Sequence, residues 1–197
     1  MLDDTARYVV LKPGVKRQEF EQAALAVGLV KHREREGDGQ KESYQQIWAT
    51  QDEENSVHYV EDPLSGTTFF SIRGPKQQSL VFELARRVWA FAPEELIELA
   101  QEAETHDEQV KAVFRLAVAN PRYQPDVFNV FSVYATKPPN PLLRAATLNA
   151  IGYRCWPECI PLLEGVARDD ADAQVRQTAE RLLPYLRQAA ERANRPQ

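Results

Sequence analysis

Five residues carry the side chains most often used as nucleophiles or metal ligands. They are two cysteines and three histidines: Cys155, Cys159, His32, His58 and His106. Protein zinc sites are usually marked by short spacings such as CxxC or HxxxH, and neither occurs in this chain. The histidines lie in three different segments, where His32 and His106 are predicted to be solvated and His58 to lie on a strand. We therefore expect no metal, no cofactor and no catalytic residues.

The two cysteines are predicted to differ in environment. Pro157 lies between them and indicates that a helix begins there, since proline suits the first turn of a helix. Cys155 then precedes a helix N-terminus, whose dipole favours a thiolate. Cys159 falls on an apolar position of the same helix and is predicted to be a small core residue. No general base is visible near either cysteine, which favours structural roles. Because Cys155 lies outside the helix and Cys159 in the core, Cys155 is predicted to be the more reactive thiol.

An acidic stretch offers carboxylates but no visible pocket. Residues 93–110 contain seven acids and no Lys or Arg: Glu94, Glu95, Glu98, Glu102, Glu104, Asp107 and Glu108. One interpretation is a solvated helix face whose early acids suit the helix dipole. The other is a docking surface for a basic partner, with Glu94, Glu95 and Glu98 as the candidate contacts.

The first half of the chain, residues 1–91, mixes strand and helix signals. Short β-branched or alternating runs predict four strands: Arg7–Lys12, Tyr44–Thr50, Val57–Glu61 and Thr67–Arg73. Apolar residues at helical spacing predict helices over Gln18–Val30 and Gln77–Phe91. The charged stretch between the first helix and the second strand reads as a solvated loop around Gly37 and Gly39. The order β-α-β-β-β-α predicts a small sheet with helices on one face, and no glycine-rich phosphate loop follows its first strand.

The second half, residues 92–197, reads as helices only and contains an internal repeat. Asp107, Asn140 and Asp172 are predicted helix N-caps at nearly equal spacing, which gives copies near 107–139, 140–171 and 172–190. Each cap is followed by apolar residues on one helix face. The positions predicted to be buried are Val113, Phe114, Ala117, Phe131, Ala146, Ala150, Ile151, Leu163, Ala179 and Leu182.

A second helix is predicted in each of the first two copies. Pro125 and Pro157 occupy corresponding positions of these copies, and the six apolar pairs after them keep the same offset. The outward positions of these helices are Asp126, Asn129, Val133, Glu158, Pro161 and Glu164. Trp156 is predicted to lie in the loop before the second of these helices, either as an exposed contact residue or buried under the next copy.

A basic residue recurs at one position of the three copies, as Lys111, Arg144 and Arg176. Ion pairs with acids of neighbouring copies are one explanation. An anion-binding strip is the other.

These segments resemble short bacterial HEAT-like repeats. NPLLRAATLNAIG from Asn140 and DAQVRQTAERLL from Asp172 are similar to first helices of such repeats, and WPECIPLLEGVARDD from Trp156 is similar to a second helix. The resemblance covers about residues 107–190. It implies an α-solenoid that acts as a protein-binding scaffold, although some relatives are DNA-base glycosylases or pigment lyases. The first copy departs from the pattern, because Glu108 stands where the second copy has a proline.

Composition narrows the class of function. The 197 residues carry a net charge of −5 and are 43% hydrophobic, which indicates a folded, acidic chain. Nucleic acids and anionic membranes favour clustered Lys and Arg, so neither is an expected partner. The absence of a secretory-signal pattern predicts a cytoplasmic protein. The expected function is a non-catalytic scaffold that binds a protein, with an enzyme on a HEAT-like scaffold or an inhibitor or immunity-type protein as the alternatives.

Overall fold

The computed structural model describes residues 5–193. The chain forms two compact units, and the division falls between Glu95 and Leu96. The boundary predicted from the sequence lies at residue 91. Residues 1–4 and 194–197, the ends of the two predicted domains, lie outside the described residues. Residues 1–4 also belong to the segment in which the sequence shows no secretory-signal pattern, and this part of that segment is not described.

The first unit contains a five-stranded antiparallel sheet in the order β1-β5-β4-β3-β2. The strands are β1 (Arg7–Val10), β2 (Val30–Arg35), β3 (Tyr44–Ala49), β4 (Ser56–Asp62) and β5 (Thr67–Arg73). β2 to β5 form a meander, and β1 pairs with β5 at the far edge. The register places Gln46 beside Tyr59 and Tyr59 beside Phe70. The mixed helix and strand class predicted for this unit is therefore correct, with one strand more than expected.

The additional strand is β2, in the segment predicted to be a loop. The preceding helix α1 (Arg17–Ala26) ends before the predicted Val30, because Gly28 adopts a left-handed conformation with φ of 80°. The chain then enters β2, which pairs antiparallel with β3 and contains an irregularity between Lys31 and Arg33. All six residues of β2 are exposed. A strand of this kind carries no alternation of apolar and polar residues, so periodicity alone does not reveal it.

Helices α1 and α2 (Gln77–Ala85) contribute to one core on a single face of the sheet. Its largest fully buried side chains are Phe20, Trp48, Tyr59, Phe70, Ile72 and Leu84. α2 ends earlier than the predicted Phe91, because the chain turns to cover the outer edge of β1. There Lys12 N–H donates to Trp89 O at 2.8 Å and Phe91 N–H donates to Val10 O at 2.9 Å.

The described residues after the division are helical, without strands. The helices are α3 (Pro93–Glu102), which spans the division, α4 (His106–Ala119), α5 (Pro125–Thr136), α6 (Pro141–Arg154), α7 (Ile160–Asp169) and α8 (Ala173–Ala193). α6 packs between α4 and α8, while α5 packs on α6 and α7 on α8. A short 3₁₀ turn, Pro157–Cys159, precedes α7.

Two of the three predicted helix caps are present. The Asn140 side chain accepts a hydrogen bond from Leu142 N–H at 2.9 Å, and Asp172 accepts one from Gln174 N–H at 2.8 Å. The prediction at Asp107 is wrong, because Thr105 caps α4. Thr105 and the fourth residue of the motif, Glu108, form a capping box that satisfies two backbone donors, and Asp107 lies inside the first turn.

Most of the predicted core of the second unit is buried. Seven of the ten positions are buried: Val113, Ala117, Phe131, Ala150, Ile151, Leu163 and Ala179. Phe114, Ala146 and Leu182 are half-buried. Phe114 lies at the margin, where its ring packs edge-on against Tyr153 with centroids 5.8 Å apart.

α6 and α8 approach closely at Gly152. A Cβ atom at this residue would lie 2.7 Å from a methyl group of Leu182, which is tighter than ordinary contact.

Candidate functional site

The predicted outward positions of α5, of α7 and of the 3₁₀ turn before α7 form an exposed surface, which we call the outer strip. Its residues are Asp126, Asn129, Val133, Glu158, Pro161 and Glu164, and all six are exposed. The residues between them face the core: Val127 and Phe131 on α5 correspond to Cys159 and Leu163, and all four are buried. The sequence of exposed, half-buried and buried positions is identical over 126–131 and 158–163.

The outer strip carries negative charge that is largely unpaired. Among the described residues, Asp126 and Glu158 form no ion pair. Glu164 accepts a hydrogen bond from the guanidinium of Arg187 on α8 at 2.8 Å. Because Asp126 and Glu158 keep their charge free, they are the residues of the strip best suited to attract a cationic group.

Trp156, a candidate contact residue, belongs to the core instead. Only 4% of its surface is exposed. Its ring lies 5.7 Å from those of Phe131 and Tyr123, measured between centroids. Of the two roles that the sequence left open for Trp156, exposed contact or burial, the structure shows burial. The position before a helix did not reveal this, since loops between packed helices are exposed in some folds and covered in others.

The acidic stretch divides into two groups of carboxylates. Glu95 is half-buried and accepts hydrogen bonds from Lys12 Nζ and Ala92 N–H, both at 2.7 Å. These contacts lower its pKa and give it a structural role, so it is not a free docking contact. Glu108 completes the capping box and Asp107 pairs with Lys111. Glu94 and Glu98 are exposed, one turn apart on α3.

The recurring basic residue makes structural contacts rather than an anion-binding strip. Arg144 Nε and Nη2 each donate to a carboxylate oxygen of Asp170 at 2.8 Å. Its Nη1 donates to Pro138 O, six residues earlier in the chain. Arg176 repeats this last contact, because its Nη1 donates to Asp170 O, also six residues earlier. Lys111 instead pairs with Asp107 of its own helix.

Both cysteines are buried, and the expected thiolate environment is absent at Cys155. Cys155 follows α6 in a left-handed conformation with φ of 52° and donates through Sγ to Gly152 O at 3.1 Å. It therefore lies at a helix C-terminus, where the dipole does not favour a negative charge. Burial raises the pKa of Cys155, and burial raises the pKa of Cys159 to about 12.

The order of thiol reactivity remains a prediction. In the native protein, Cys155 is expected to react with a disulfide reagent faster than Cys159, because Cys159 is fully buried and its pKa is higher. Both are expected to react much more slowly than the same thiols in denaturant. Mass spectrometry of the modified chain over time, with Cys155→Ser and Cys159→Ser variants as controls, measures each rate. Faster modification of Cys159 would contradict the packing around α7.

The histidines follow the predictions made for them. His32 and His106 are exposed, and His58 is half-buried on β4. Burial, together with the charge of Arg73, lowers the pKa of His58. Across residues 5–193, no three His, Cys, Asp or Glu side chains come together as a possible metal site. In the same part of the chain, no helix combines the length and apolar character needed to cross a bilayer.

The first unit contains a polar network that was not predicted. It joins α1 to β2, β3 and β4. The linked side chains are those of Arg17, Glu21, Lys31, Glu34, Tyr44, Gln46, Trp48, Tyr59 and Glu61. Arg17 donates twice to the carboxylate of Glu61, at 3.0 Å for each bond, and stacks 3.2 Å above the Tyr44 ring. The spacing of Arg17 and Glu21, one turn apart on α1, was the available signal.

This network borders an open groove of about 310 Å³. Arg17, Tyr44 and Glu61 line one part, the loop between β2 and β3 supplies Glu36 and Glu42, and the end of β4 supplies Asp62. Arg17 is committed to Glu61, and Asp62 accepts a hydrogen bond from Ser65 Oγ at 2.6 Å. The polar groups of the groove therefore mainly satisfy one another.

Two tyrosines of the network are expected to titrate abnormally. Burial, reinforced by the hydrogen bond to Glu34, raises the pKa of Tyr44 to about 12. Burial and the hydrogen bond to Glu61 also raise the pKa of Tyr59. Since the unfolded chain ionises its tyrosines near pH 10, stability is expected to fall as the pH rises above that value.

Absorbance at 295 nm, followed to pH 11, should show at least two tyrosines still protonated, since burial also raises the pKa of Tyr134 in the second unit. In Tyr44→Phe the number of late-titrating tyrosines should fall by one. Normal ionisation of every tyrosine in the folded protein would contradict the network.

Comparison of the chain with protein-family models, curated proteins and solved structures gives no match.

Proposed function

We propose that the second unit is a short HEAT-like solenoid that acts as a non-catalytic scaffold and binds a protein partner through the outer strip. The observation that carries this proposal is the identical pattern of exposure over 126–131 and 158–163. Two helices of successive copies bury corresponding residues and expose corresponding residues. In helical repeats, such exposed positions form a continuous recognition surface.

The recurring arginine supports a repeating architecture. Arg144 and Arg176 occupy corresponding positions of successive copies and donate to backbone carbonyls at the same sequence separation. Arg144 also joins the start of α6 to Asp170, which follows α7. Arg144 on α6 therefore contacts both the loop before α6 and the residue that follows α7.

α8 has one buried and one polar face. It buries one narrow row of residues, at Val175, Ala179, Leu183 and Leu186. The remaining face carries exposed polar residues such as Gln177, Glu180 and Gln188. A polar outer face of this kind is typical of the capping helices of solenoids.

The charge of the surface favours a basic protein partner. Asp126 and Glu158 of the outer strip are exposed and form no ion pair among the described residues. Such a surface attracts cationic groups and speeds association at low salt. Duplex DNA is disfavoured by the same charges.

The proposal is tested with a double charge reversal, Asp126→Lys with Glu158→Lys. Proteins captured from a lysate of the source cell by the wild-type chain are identified by mass spectrometry, purified and titrated against each variant. The double variant is expected to bind at least tenfold more weakly and with a shallower dependence on salt.

A matched control carries the same change of charge elsewhere. Glu180→Lys with Glu191→Lys reverses two exposed acids of α8 and is expected to leave the affinity unchanged. Equal losses in the two double variants, or tight binding of duplex DNA by the wild-type chain at physiological salt, would overturn the proposal.

A further inference from the structure

The first unit exposes two large aromatic side chains, Phe82 and Trp89, and an arginine that lies between them in the sequence, Arg86. We call these three residues the aromatic–arginine patch. Phe82 and Trp89 have 59% and 66% of their surfaces exposed. Arg86 lies one turn after Phe82, and its guanidinium is 5.2 Å from the centre of the Phe82 ring. The other two tryptophans of the chain, Trp48 and Trp156, are buried.

Phe82 and Arg86 lie on one face of a helical segment, and Trp89 follows Arg86 three residues later. Arg86 N–H donates to Phe82 O at 3.2 Å and Val88 N–H donates to Leu84 O at 3.1 Å, so helical hydrogen bonding continues from α2 as far as Val88. Phe82 and Arg86, at i and i+4, therefore share an exposed face, while Leu84 and Val88 are buried. Trp89 comes directly after these helical bonds, where the chain begins to pair with the edge of β1.

The backbone that carries Trp89 is held in place. Its carbonyl accepts a hydrogen bond from Lys12 N–H, and the flanking residues are bonded to the edge of β1. The Lys12 ammonium lies 5.4 Å from the centre of the Trp89 ring and is paired with Glu95 at 2.7 Å. An exposed indole on a fixed backbone loses little conformational freedom when it is covered by a partner.

The patch contains one unpaired positive charge. Among the described residues, no carboxylate lies within ion-pair distance of Arg86. The neighbouring Arg87 is paired with Glu83 at 2.6 Å, and the charge of Lys12 is neutralised by Glu95. A ligand that fits the patch therefore supplies large apolar groups and a single negative charge.

We propose that the aromatic–arginine patch binds an acidic segment of a protein partner. Large apolar side chains of that segment cover Phe82 and Trp89, and one of its carboxylates pairs with Arg86. Tryptophan and arginine are the residues that most often dominate protein interfaces. This surface belongs to the first unit and is independent of the outer strip.

The single free charge decides between classes of partner. Anionic membranes are recognised by clusters of four to eight basic residues, and nucleic acids by many phosphate contacts. One unpaired arginine beside an exposed aromatic ring, with an exposed tryptophan three residues later, matches the side chains of a peptide segment instead.

The experiment selects peptides from a displayed library of random dodecamers on the immobilised full-length chain. Enriched peptides are expected to be rich in Asp or Glu together with Leu, Phe or Trp. Their affinity is then compared among the wild-type chain, Trp89→Ala, Arg86→Glu and the matched control Arg33→Glu. Arg33 is exposed and makes no ion pair among the described residues, so its reversal changes the charge equally outside the patch.

Trp89→Ala and Arg86→Glu are each expected to weaken binding at least tenfold, and Arg33→Glu less than twofold. Bound peptide is also expected to protect the fluorescence of the exposed tryptophan from quenching by acrylamide, an effect absent in Trp89→Phe.

The proposal is overturned if no peptide is enriched, if enriched peptides bind Trp89→Ala as well as wild type, or if both arginine variants lose affinity equally. It is also overturned if wild type, but not Trp89→Ala, sediments with phosphatidylserine vesicles while enriched peptides fail to compete.

Discussion

Phe131→Ala is expected to lower the free energy of unfolding of the second unit by about 3–5 kcal/mol. Phe131 is fully buried, and its ring packs against Trp156 with centroids 5.7 Å apart. Truncation removes a large apolar side chain and leaves a cavity beside a second buried aromatic ring. Denaturant unfolding followed by circular dichroism measures the change.

Phe114→Ala is the matched control for this prediction. Phe114 occupies a repeat position expected from the sequence to be buried, but it is half-buried at the margin of α4. Its loss is expected to cost about 1–2 kcal/mol, because less apolar area leaves the core and solvent fills the space. A larger loss for Phe114→Ala than for Phe131→Ala would contradict the assignment of interior and margin.

The sequence predicts the second unit better than the first, for a physical reason. Amphipathic helices reveal their buried face through the helical period, and here the same pattern of apolar positions recurs from one copy to the next. The pattern therefore assigns Phe131, Cys159 and Leu163 to the core correctly. The margin was less predictable, because a residue such as Leu182 is apolar whether or not a neighbour covers it.

The first unit depends on contacts that periodicity does not encode. β2 contains no buried residue, and its position is determined by pairing with β3 and by ion pairs of Lys31 with Glu21 and Glu34. The sequence also predicts the end of α2 wrongly. An apolar run that continues to Phe91 is compatible both with a longer helix and with an extended segment that pairs with a sheet edge. Long-range backbone hydrogen bonds to β1 decide between them.

The candidate site residues show a similar division. Exposure of Asp126 and Glu158 followed from their place opposite the buried face. The burial of Trp156 and the ion pair of Glu95 depend on neighbours distant in sequence, so a local pattern carried no information about them. The exposed Trp89 was missed because an aromatic residue in a predicted helix is normally assigned to the core.

Arg144→Ala is expected to lower the free energy of unfolding by about 3 kcal/mol at neutral pH. The side chains of Arg144 and Asp170 are only 9% and 7% exposed, and two hydrogen bonds of 2.8 Å join them. Removing the guanidinium leaves a buried carboxylate without its cation. It also leaves Pro138 O without the hydrogen bond that it accepts from Arg144.

The pH dependence of this loss separates the ion pair from the other contacts of Arg144. The hydrogen bonds from Arg144 lower the pKa of Asp170, so the pair stabilises the folded state above the ordinary aspartate pKa of about 4, and this contribution is lost as the pH falls through the folded value. The difference in free energy of unfolding between wild type and Arg144→Ala should therefore shrink on acidification.

Arg176→Ala is the control, because Arg176 donates to backbone carbonyls without pairing to a carboxylate. It is expected to cost about 1 kcal/mol, with a smaller dependence on pH than Arg144→Ala, because Arg176 lowers the pKa of Asp170 less than Arg144 does. Equal and pH-independent losses in the two variants would show that carbonyl contacts, rather than the buried ion pair, join these helices.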